Sequence, residues 1–225
     1  MASDPNAELL DILDDAGLPS GAVKARGQVH RDGDWHRAIH IWVVREHDSV
    51  LIQRRDRRKE IEPGKLDVSV GGHLRSGETI LDGLREAEEE LGLTLRPGQL
   101  DFLMTVRSER RYPNQAPAVV DREFQDVYVV RDERPLTEYL LDPQEVDTVY
   151  EVPLDRAIAL FEVGDHVPAP GFDAMRRVSN ALLIDADLPS QGRETLAAAL
   201  RQLLEWTKTT AAAGTARAAV SPTEE

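Results

Sequence analysis

The 225-residue sequence predicts an α/β fold in which a mixed sheet is covered by helices. Stretches with the apolar patterns of strands lie both before and after one central helical stretch, without a regular strand–helix alternation. The last third of the chain carries mostly helical patterns. A chain of this length suits one domain with appended helices and leaves little room for a second full domain.

The first half of the chain predicts a leader followed by strands. Residues 1–7 are expected to form a flexible leader, and a hairpin is expected between residue 9 and Val29, with its turn at Asp14 to Gly17. Further strands are expected over residues 38–44, 49–53 and 66–70. The first two are predicted to pair across a polar turn.

The rest of the chain predicts a central helix, more strands and a helical C-terminal part. The central helix is expected over residues 79–91 and ends at Gly92. The later strands are expected over residues 100–106, 124–130 and 146–152. A loop is expected at Pro168, Pro170 and Gly171. The later helices are expected from Pro153 to Val163 and over residues 173–184 and 193–206. The low-complexity segment 208–225 is predicted to be disordered, so that residues 8–207 form a single domain.

Composition and charge exclude several classes of function. The chain has 27 Lys and Arg against 41 Asp and Glu, a net charge of −14, which disfavours nucleic-acid backbones and anionic membranes as partners. The absence of cysteine excludes disulfides, thiolate metal sites and a cysteine nucleophile. The acidic N-terminus lacks a signal-peptide pattern, and the apolar run 41–44 is too short to span a bilayer. We therefore expect a cytoplasmic protein.

The central helix carries the clearest chemical signal. At about 100° per residue, Glu86, Glu89 and Glu90 fall within one narrow arc, away from the apolar arc, whereas Glu88 points elsewhere. Crowded carboxylates repel one another unless a cation neutralises them, and hard oxygen ligands suit Mg²⁺ or Mn²⁺. A solvated acidic face would show the same triplet. The preceding Gly71-Gly72, which lets the backbone approach a metal or phosphate closely, favours a metal–diphosphate site.

The stretch from Gly72 to Leu93 resembles the Nudix box, G-x5-E-x7-R-E-U-x-E-E-x-G-U, in which U is bulky and apolar. The matching residues are Gly72, Glu78, Arg85, Glu86, Glu89, Glu90, Gly92 and Leu93. Two departures are the small Ala87 at a U position and a spacing of six residues, not seven, between Glu78 and Arg85. The missing residue is expected to shorten the junction before the helix, because a deletion inside it would turn its face by about 100°.

This resemblance implies a Nudix α/β/α sandwich with a mixed sheet, and Mg²⁺-dependent attack of water on a diphosphate. The metal ligands are expected to be Glu86, Glu89 and Glu90, with the Gly72 carbonyl as a further ligand. Glu90, Glu89 and Glu123 are the candidates for the general base. Arg85 is expected to form an ion pair with a box glutamate and orient it.

Residues 8–155 also resemble the branch of Nudix proteins related to isopentenyl-diphosphate isomerase. The similar segments are residues 27–42, 53–55, 63–64 and 67–73. The branch implies a second metal site at His36, His73, Asp121 and Glu123, from which His30 stands one residue out of step. Within a basic run over residues 54–59, it implies that Arg55 and Lys59 bind the diphosphate. The isomerase has a cysteine where this chain has Gly71, so isomerisation through a thiol is disfavoured.

Three hypotheses follow from the sequence. The leading one is an Mg²⁺-dependent Nudix hydrolase that cleaves the diphosphate linkage of a nucleoside diphosphate derivative or a related organic diphosphate. The alternatives are an isomerase-like enzyme and a non-catalytic diphosphate-binding module. The leaving group and the identity of the base stay open. So does the role of the C-terminal helices, which fit either a cap over the site or a homodimer interface.

Overall fold

The structure, a computed structural model, describes residues 5–218. The strands in this part of the chain are β1 Leu9–Leu13, β2 Pro19–Ala25, β3 Trp35–Val44, β4 Ser49–Arg55, β5 Leu66–Asp67, β6 Val70–His73, β7 Leu100–Tyr112, β8 Val119–Arg131, β9 Val146–Pro153, β10 Val167–Asp173 and β11 Val178–Leu183. The helices are α1 Arg26–Asp32, α2 Arg85–Leu91, α3 Leu154–Val163 and α4 Arg193–Ala218. None of the helices within these residues is long and apolar enough to cross a membrane.

The sheet is mixed and is organised around β3. This strand runs parallel to β8 over its whole length, from Trp35 beside Arg122 to Val44 beside Arg131. On its other side it pairs antiparallel with β6, where Ala38 lies opposite His73. Long runs of apolar residues suit a strand that is covered on both faces. The predicted mixed sheet is therefore confirmed.

Helices cover both faces of the sheet. On one face, Ile39, Ile41 and Val43 pack with residues of α2, including Ala87 and Leu91. On the opposite face, residues of β3, β4 and β8 share a core with α3 and α4; these residues include Trp42, Ile52, Val127, Leu160, Phe161, Leu200 and Leu203. Alternation of side chains along β3 sends successive residues to the two layers. This arrangement confirms the predicted α/β/α sandwich.

The prediction of a loop at Pro168, Pro170 and Gly171 followed by a helix over residues 173–184 is wrong. Strands β10 and β11 form an antiparallel hairpin there, and β10 pairs with β9 from Gly171 to Asp173. The Ala, Met, Arg and Leu residues of the second segment favour a helix by intrinsic propensity, but pairing with an existing sheet edge overrides that preference. Pro168 and Pro170 lie where β10 has only β11 as a neighbour, so their missing N–H groups cost no ladder hydrogen bond.

Several predicted boundaries also differ from the structure. The N-terminal hairpin ends at Ala25, and α1 follows it. Strands β3 and β4 meet only at Val44 and Val50. One edge of β4 pairs along its length with β9, and its other edge continues with β5 at Gln53 and Arg54. The expected strand over residues 66–70 is split into β5 and β6. Residues 5–7 form a 3-10 turn, and residues 1–4 of the expected leader lie outside the described residues.

The central and last helices also differ in length from their predicted ranges. The central α-helix begins at Arg85, because Thr79 and the carboxylate of Asp82 bind each other and a 3-10 turn over Asp82–Leu84 follows. The last helix continues to Ala218, past the predicted end at residue 206 and into the segment predicted to be disordered. Its alanine-rich composition favours helix. Residues 219–225 of the predicted disordered tail lie outside the described residues.

Candidate active site

A cleft of about 960 Å³ opens where β3, β5, β6, β7 and β8 meet α2 and the start of α4. Most of the residues that the sequence singles out line it: Arg55, Lys59, Gly72, His73, Glu86, Glu89, Glu90, Asp121 and Glu123. Arg85 and His36 do not line the cleft but contact residues that do. A single cavity therefore joins the box glutamates to the histidine-rich cluster.

The box glutamates converge on the turn that carries Gly72. A Cβ atom on Gly72 would lie 2.2 Å from Cδ of Glu86, so the Glu86 carboxylate packs directly on the glycine backbone. Glu90 is only 4% exposed, and its Oε2 accepts long hydrogen bonds of 3.3 Å from the Gly71 N–H and 3.4 Å from Gln53. Glu89 stands at the rim with its side chain 48% exposed. All three carboxylates reach the same cleft.

The side of α2 away from the box glutamates faces the core. Leu84, just before the helix, and Leu91 within it are buried, whereas Glu88 is exposed to solvent. The ordering of these residues around the helix axis follows its 3.6-residue period. The shortened spacing before Arg85 has therefore not rotated the acidic face away from Gly71 and Gly72.

Burial disfavours the ionised form of the Glu86 and Glu90 carboxylates. It raises the pKa of Glu86 to about 7. Burial, together with the nearby Glu86 and Glu145, raises the pKa of Glu90 well above its usual range. A divalent cation among these oxygens would favour the ionised forms. The carboxylate oxygens and the glycine backbone thus make a donor set that fits Mg²⁺ or Mn²⁺.

Arg85 links the box residues to one another. Its guanidinium donates to Glu86 and, at 3.1 Å, to Glu89. The same group donates to both carboxylate oxygens of Glu78, at 2.8 and 3.0 Å, and to the carbonyl oxygen of His73 at 3.1 Å. Glu78 therefore reaches Arg85 despite the shortened spacing. These contacts give Arg85 the position expected of an orienting residue.

A second cluster contains three histidines and an aspartate. One possible ligand atom from each of His30, His36, His73 and Asp121 lies within 4.8 Å of the others. They come from four elements, α1, β3, β6 and β8. Both ring nitrogens of His30, Nε2 of His36 and Oδ1 of Asp121 are buried without a hydrogen-bond partner. Buried polar atoms without partners are uncommon, and here they converge on one point as metal ligands would.

The cluster differs in membership from the set expected from sequence. His30 belongs to it, although it stands out of step in the sequence comparison. Glu123 lies beside it, with Oε1 3.1 Å from Nε2 of His73 and 3.9 Å from Nε2 of His36. Burial lowers the pKa of His30 to about 4 and that of His73 well below its usual range. Neutral imidazole is the form that binds metals.

Two residues that sequence reasoning missed, the half-buried Arg110 and the buried Gln125, hold the carboxylates of this cluster. The Arg110 guanidinium donates to Oδ2 of Asp121 at 2.7 Å and also to Oε2 of Glu123. Gln125 donates from Nε2 to the same Glu123 oxygen at 2.6 Å. In the sequence these residues follow the two-residue period of β7 and β8, which places them on the same face as Asp121 and Glu123.

The predicted diphosphate-binding residues line the cleft but are already paired. Arg55 donates to Asp67 at 2.9 Å, and Lys59 forms an ion pair with Glu145. The rest of the basic run does not form one patch, since Arg54 pairs with Asp187 outside the cleft. Arg26, which the sequence did not single out, lines the cleft and has no carboxylate partner within residues 5–210.

Comparison with known proteins assigns the chain to a family. The NUDIX domain model matches residues 34–171, more than half of the chain. The chain belongs to the Nudix hydrolase family. It is therefore an enzyme of a family whose members cleave pyrophosphate bonds. An uncharacterised Nudix hydrolase of Clostridium acetobutylicum is 33% identical over 169 residues, which cover 73% of this chain and 80% of that protein.

Other relatives match smaller shares of their own length. Nudix hydrolase 3 of Arabidopsis thaliana is 37% identical over 152 residues, 66% of this chain but only 19% of that protein. An isopentenyl-diphosphate Δ-isomerase of Streptomyces griseus is 31% identical over 55% of this chain and 61% of its own length, which fits the branch noted from sequence. A crystal structure from Deinococcus radiodurans shares the fold, with a TM-score of 0.55 and 23% identity over 70% of this chain and 91% of its own.

Proposed function

We propose that this Nudix hydrolase cleaves the diphosphate linkage of a nucleoside diphosphate derivative or a related organic diphosphate, and that it depends on Mg²⁺ or Mn²⁺. The observation that carries the proposal is the contact between the Glu86 carboxylate and the Gly72 backbone, in a cleft that Glu89 and Glu90 also enter. Any side chain at residue 72 would fill this space. Three carboxylates and a backbone carbonyl are the ligand types that hard divalent cations prefer.

The Gly72 carbonyl, Glu86, Glu89 and Glu90 would hold the cation. When bound, it would lower the pKa of a coordinated water and offset charge on the phosphate oxygens. Arg85 would keep Glu86 and Glu89 in position through the contacts described above. Its role is orienting, because the guanidinium is engaged with carboxylates and does not line the cleft.

Among the three candidate bases, we propose Glu90 as the group that takes the proton from water. Glu89 is engaged in ion pairs with Arg85 and Arg75. Glu123 is held by Arg110, whose positive charge lowers its proton affinity. The buried Glu90 carboxylate accepts only long hydrogen bonds and forms no ion pair within residues 5–210, so its oxygens are the least engaged of the three candidates.

The diphosphate would be bound by Arg26, Arg55 and Lys59. Arg26 has no carboxylate partner to release within residues 5–210, so it is placed to contact a substrate anion directly. Arg55 and Lys59 would exchange Asp67 and Glu145 for phosphate oxygens, which are strong acceptors for charged donors. These residues would offset the charge that builds up on the departing phosphate.

We also propose that His30, His36, His73 and Asp121 form a second metal site, with Glu123 as a neighbouring ligand or outer partner. Three neutral imidazoles and one carboxylate suit a divalent transition-metal ion better than Mg²⁺. The proposal rests on the convergence of buried ring nitrogens and a carboxylate oxygen that have no hydrogen-bond partner. Arg110 would leave Oδ1 of Asp121 free for the ion by binding Oδ2.

A substrate screen tests the proposed function. The purified protein is incubated with nucleotide and isoprenoid diphosphates in the presence of Mg²⁺ or Mn²⁺, and every product is identified by mass. We expect phosphate-containing hydrolysis products, and no dimethylallyl diphosphate from isopentenyl diphosphate, because Gly71 supplies no thiol. An isomer above the level of the enzyme-free control would overturn the hydrolase proposal. Binding of diphosphates without turnover of any compound would favour the non-catalytic module.

A further inference from the structure

A depression lies in the floor of the cleft at Ala38. His36, Ala38 and His40 alternate along β3 and so face the same side of the sheet. Strand pairing places Gln125 beside Ala38 on β8 and His73 beside it on β6. Ala38, His40, His73 and Gln125 all line the cleft. Because alanine is much smaller than its neighbours, it leaves a pit that polar side chains surround.

Gln125 presents an unsatisfied acceptor in this region. The residue is only 2% exposed, and its Nε2 is used by Glu123. Its Oε1 is buried without a hydrogen-bond partner. A buried carbonyl oxygen of this kind is unfavourable unless a donor reaches it, so the free acceptor favours a ligand that brings an O–H or N–H group.

His40 supplies a complementary group on the neighbouring strand. Its ring lines the cleft and makes no hydrogen bond within residues 5–210. Its partner on β6 is Gly71, which has no side chain to cover the ring; a Cβ there would lie 3.5 Å from Cδ2 of His40. Burial lowers the pKa of His40. The neutral ring therefore offers one N–H donor and one nitrogen acceptor.

We propose that the depression bounded by Ala38, His40 and Gln125 is a specificity subsite for a hydroxyl group on the organic part of the substrate. This inference rests on the diphosphate hydrolysis proposed above. The hydroxyl donates to Oε1 of Gln125 and accepts from the His40 N–H. Gln125 lies beside Ala38, two residues along β3 from His40, so the two side chains are diagonal neighbours on adjacent strands, a spacing that long side chains can span. A hydrocarbon group in the same place would leave both polar groups unpaired.

Paired substrates test this subsite. Linear alkyl diphosphates of two to five carbons are compared with the corresponding ω-hydroxyalkyl diphosphates, by kcat/KM for hydrolysis and by Kd from calorimetry. We expect a preference of at least about tenfold for the hydroxyl compound at one or more chain lengths, the scale of one hydrogen bond in a buried site. Gln125→Met should remove the preference, because methionine has similar length and no carbonyl acceptor.

The control is Gln144→Met, the same substitution at an exposed position on the rim of the cleft, which should leave the preference unchanged. His40→Leu serves as a second variant and should also reduce the preference; it replaces Gln125→Met if the latter does not fold. Equal use of both series, as expected if the pit only holds water, overturns the inference. So does a preference that persists in the folded variants of Gln125 and His40.

The same measurements separate this inference from the proposed function. If the compounds bind without hydrolysis, the ratio of their Kd values still decides the subsite, and the substrate screen decides the hydrolase proposal. If neither series binds or is hydrolysed, the subsite inference fails, whereas the hydrolase proposal fails only if the nucleotide diphosphates of the screen are not cleaved either.

Discussion

The two candidate metal sites differ in how their surroundings shift the pKa values of their buried carboxylates. In the box site, burial and neighbouring carboxylates raise the pKa values of Glu86 and Glu90. In the histidine cluster, burial opposes ionisation of Glu123, but Arg110 and His73 outweigh it and hold the Glu123 pKa well below its usual range. Each site contains an arginine, but Arg85 does not offset the burial of Glu86, whereas Arg110 does offset that of Glu123.

The two sites also differ in how the chain builds them. The box site comes from two adjacent segments, β6 and α2, and its glutamates lie within five residues of one another on one helix. The cluster draws its ligands from four separate elements. A cation at the box site would thus bind a local motif. A cation in the cluster would cross-link distant parts of the fold.

The largest expected effect breaks the box site. Glu86→Gln and Glu90→Gln should each reduce the rate of hydrolysis at saturating Mg²⁺ by at least about 100-fold, since each removes a carboxylate from the cation or from water. Glu88→Gln is the matched control, because Glu88 lies on the same helix but is exposed to solvent. The measurement is initial rate against Mg²⁺ concentration, after circular dichroism confirms folding. Equal activity of the Glu88 and Glu90 variants would show that the box glutamates form only a solvated acidic face.

The next prediction separates the cluster from the box. His30→Gln and His36→Gln should weaken Mn²⁺ binding to the cluster by at least about tenfold, a loss expected when a metal site is impaired by one group. His47→Gln is the control, because the His47 side chain is 93% exposed and lies beyond the end of β3 opposite to His36. Calorimetric titration of metal-free protein measures the binding. If the histidine variants titrate like wild type, no metal site exists at the cluster.

A smaller effect concerns stability without metal. Because the folded-state pKa of Glu86 is raised to about 7, folding stability should fall as pH rises from about 4.5 to 7, where the unfolded carboxyl ionises first. Glu86→Gln removes this contribution. The variant should therefore melt at a higher temperature than metal-free wild type, and this difference should grow between pH 5 and pH 8. The corresponding difference in the free energy of unfolding should grow by at most about 3 kcal/mol.

The control for this pH experiment is again Glu88→Gln, whose difference from wild type should not vary with pH. Added Mg²⁺ should restore more stability to wild type than to Glu86→Gln. A pH-independent difference between wild type and Glu86→Gln would show that burial of this carboxyl has no energetic consequence.

The contrast between a local motif and a cluster of distant residues also explains how much of the site the sequence predicts. The helical period alone places Glu86, Glu89 and Glu90 together, and the structure agrees. His30 was missed because its phase depends on α1, a short helix that the sequence pattern did not indicate. Arg110 was missed because its contact with Asp121 depends on the register of β7 and β8, in which the two residues are direct partners. Contacts across strands require a register that a single sequence does not specify.

The fold shows the same limit. Strands around β3 were predictable, since long apolar runs with few helix-favouring residues leave one interpretation. The hairpin of β10 and β11 was not, because its residues favour helix locally and become strands only by pairing at the edge next to β9.

Hydrolysis in ¹⁸O-labelled water tests the central claim most directly. For any diphosphate that the screen finds to be a substrate, mass spectrometry of the products reports whether water attacks a phosphorus atom. Our account predicts ¹⁸O in one phosphate-containing product when Mg²⁺ or Mn²⁺ is present, and no reaction after chelation. Product formation that continues undiminished in chelator, or products without ¹⁸O in a phosphate group, would contradict it.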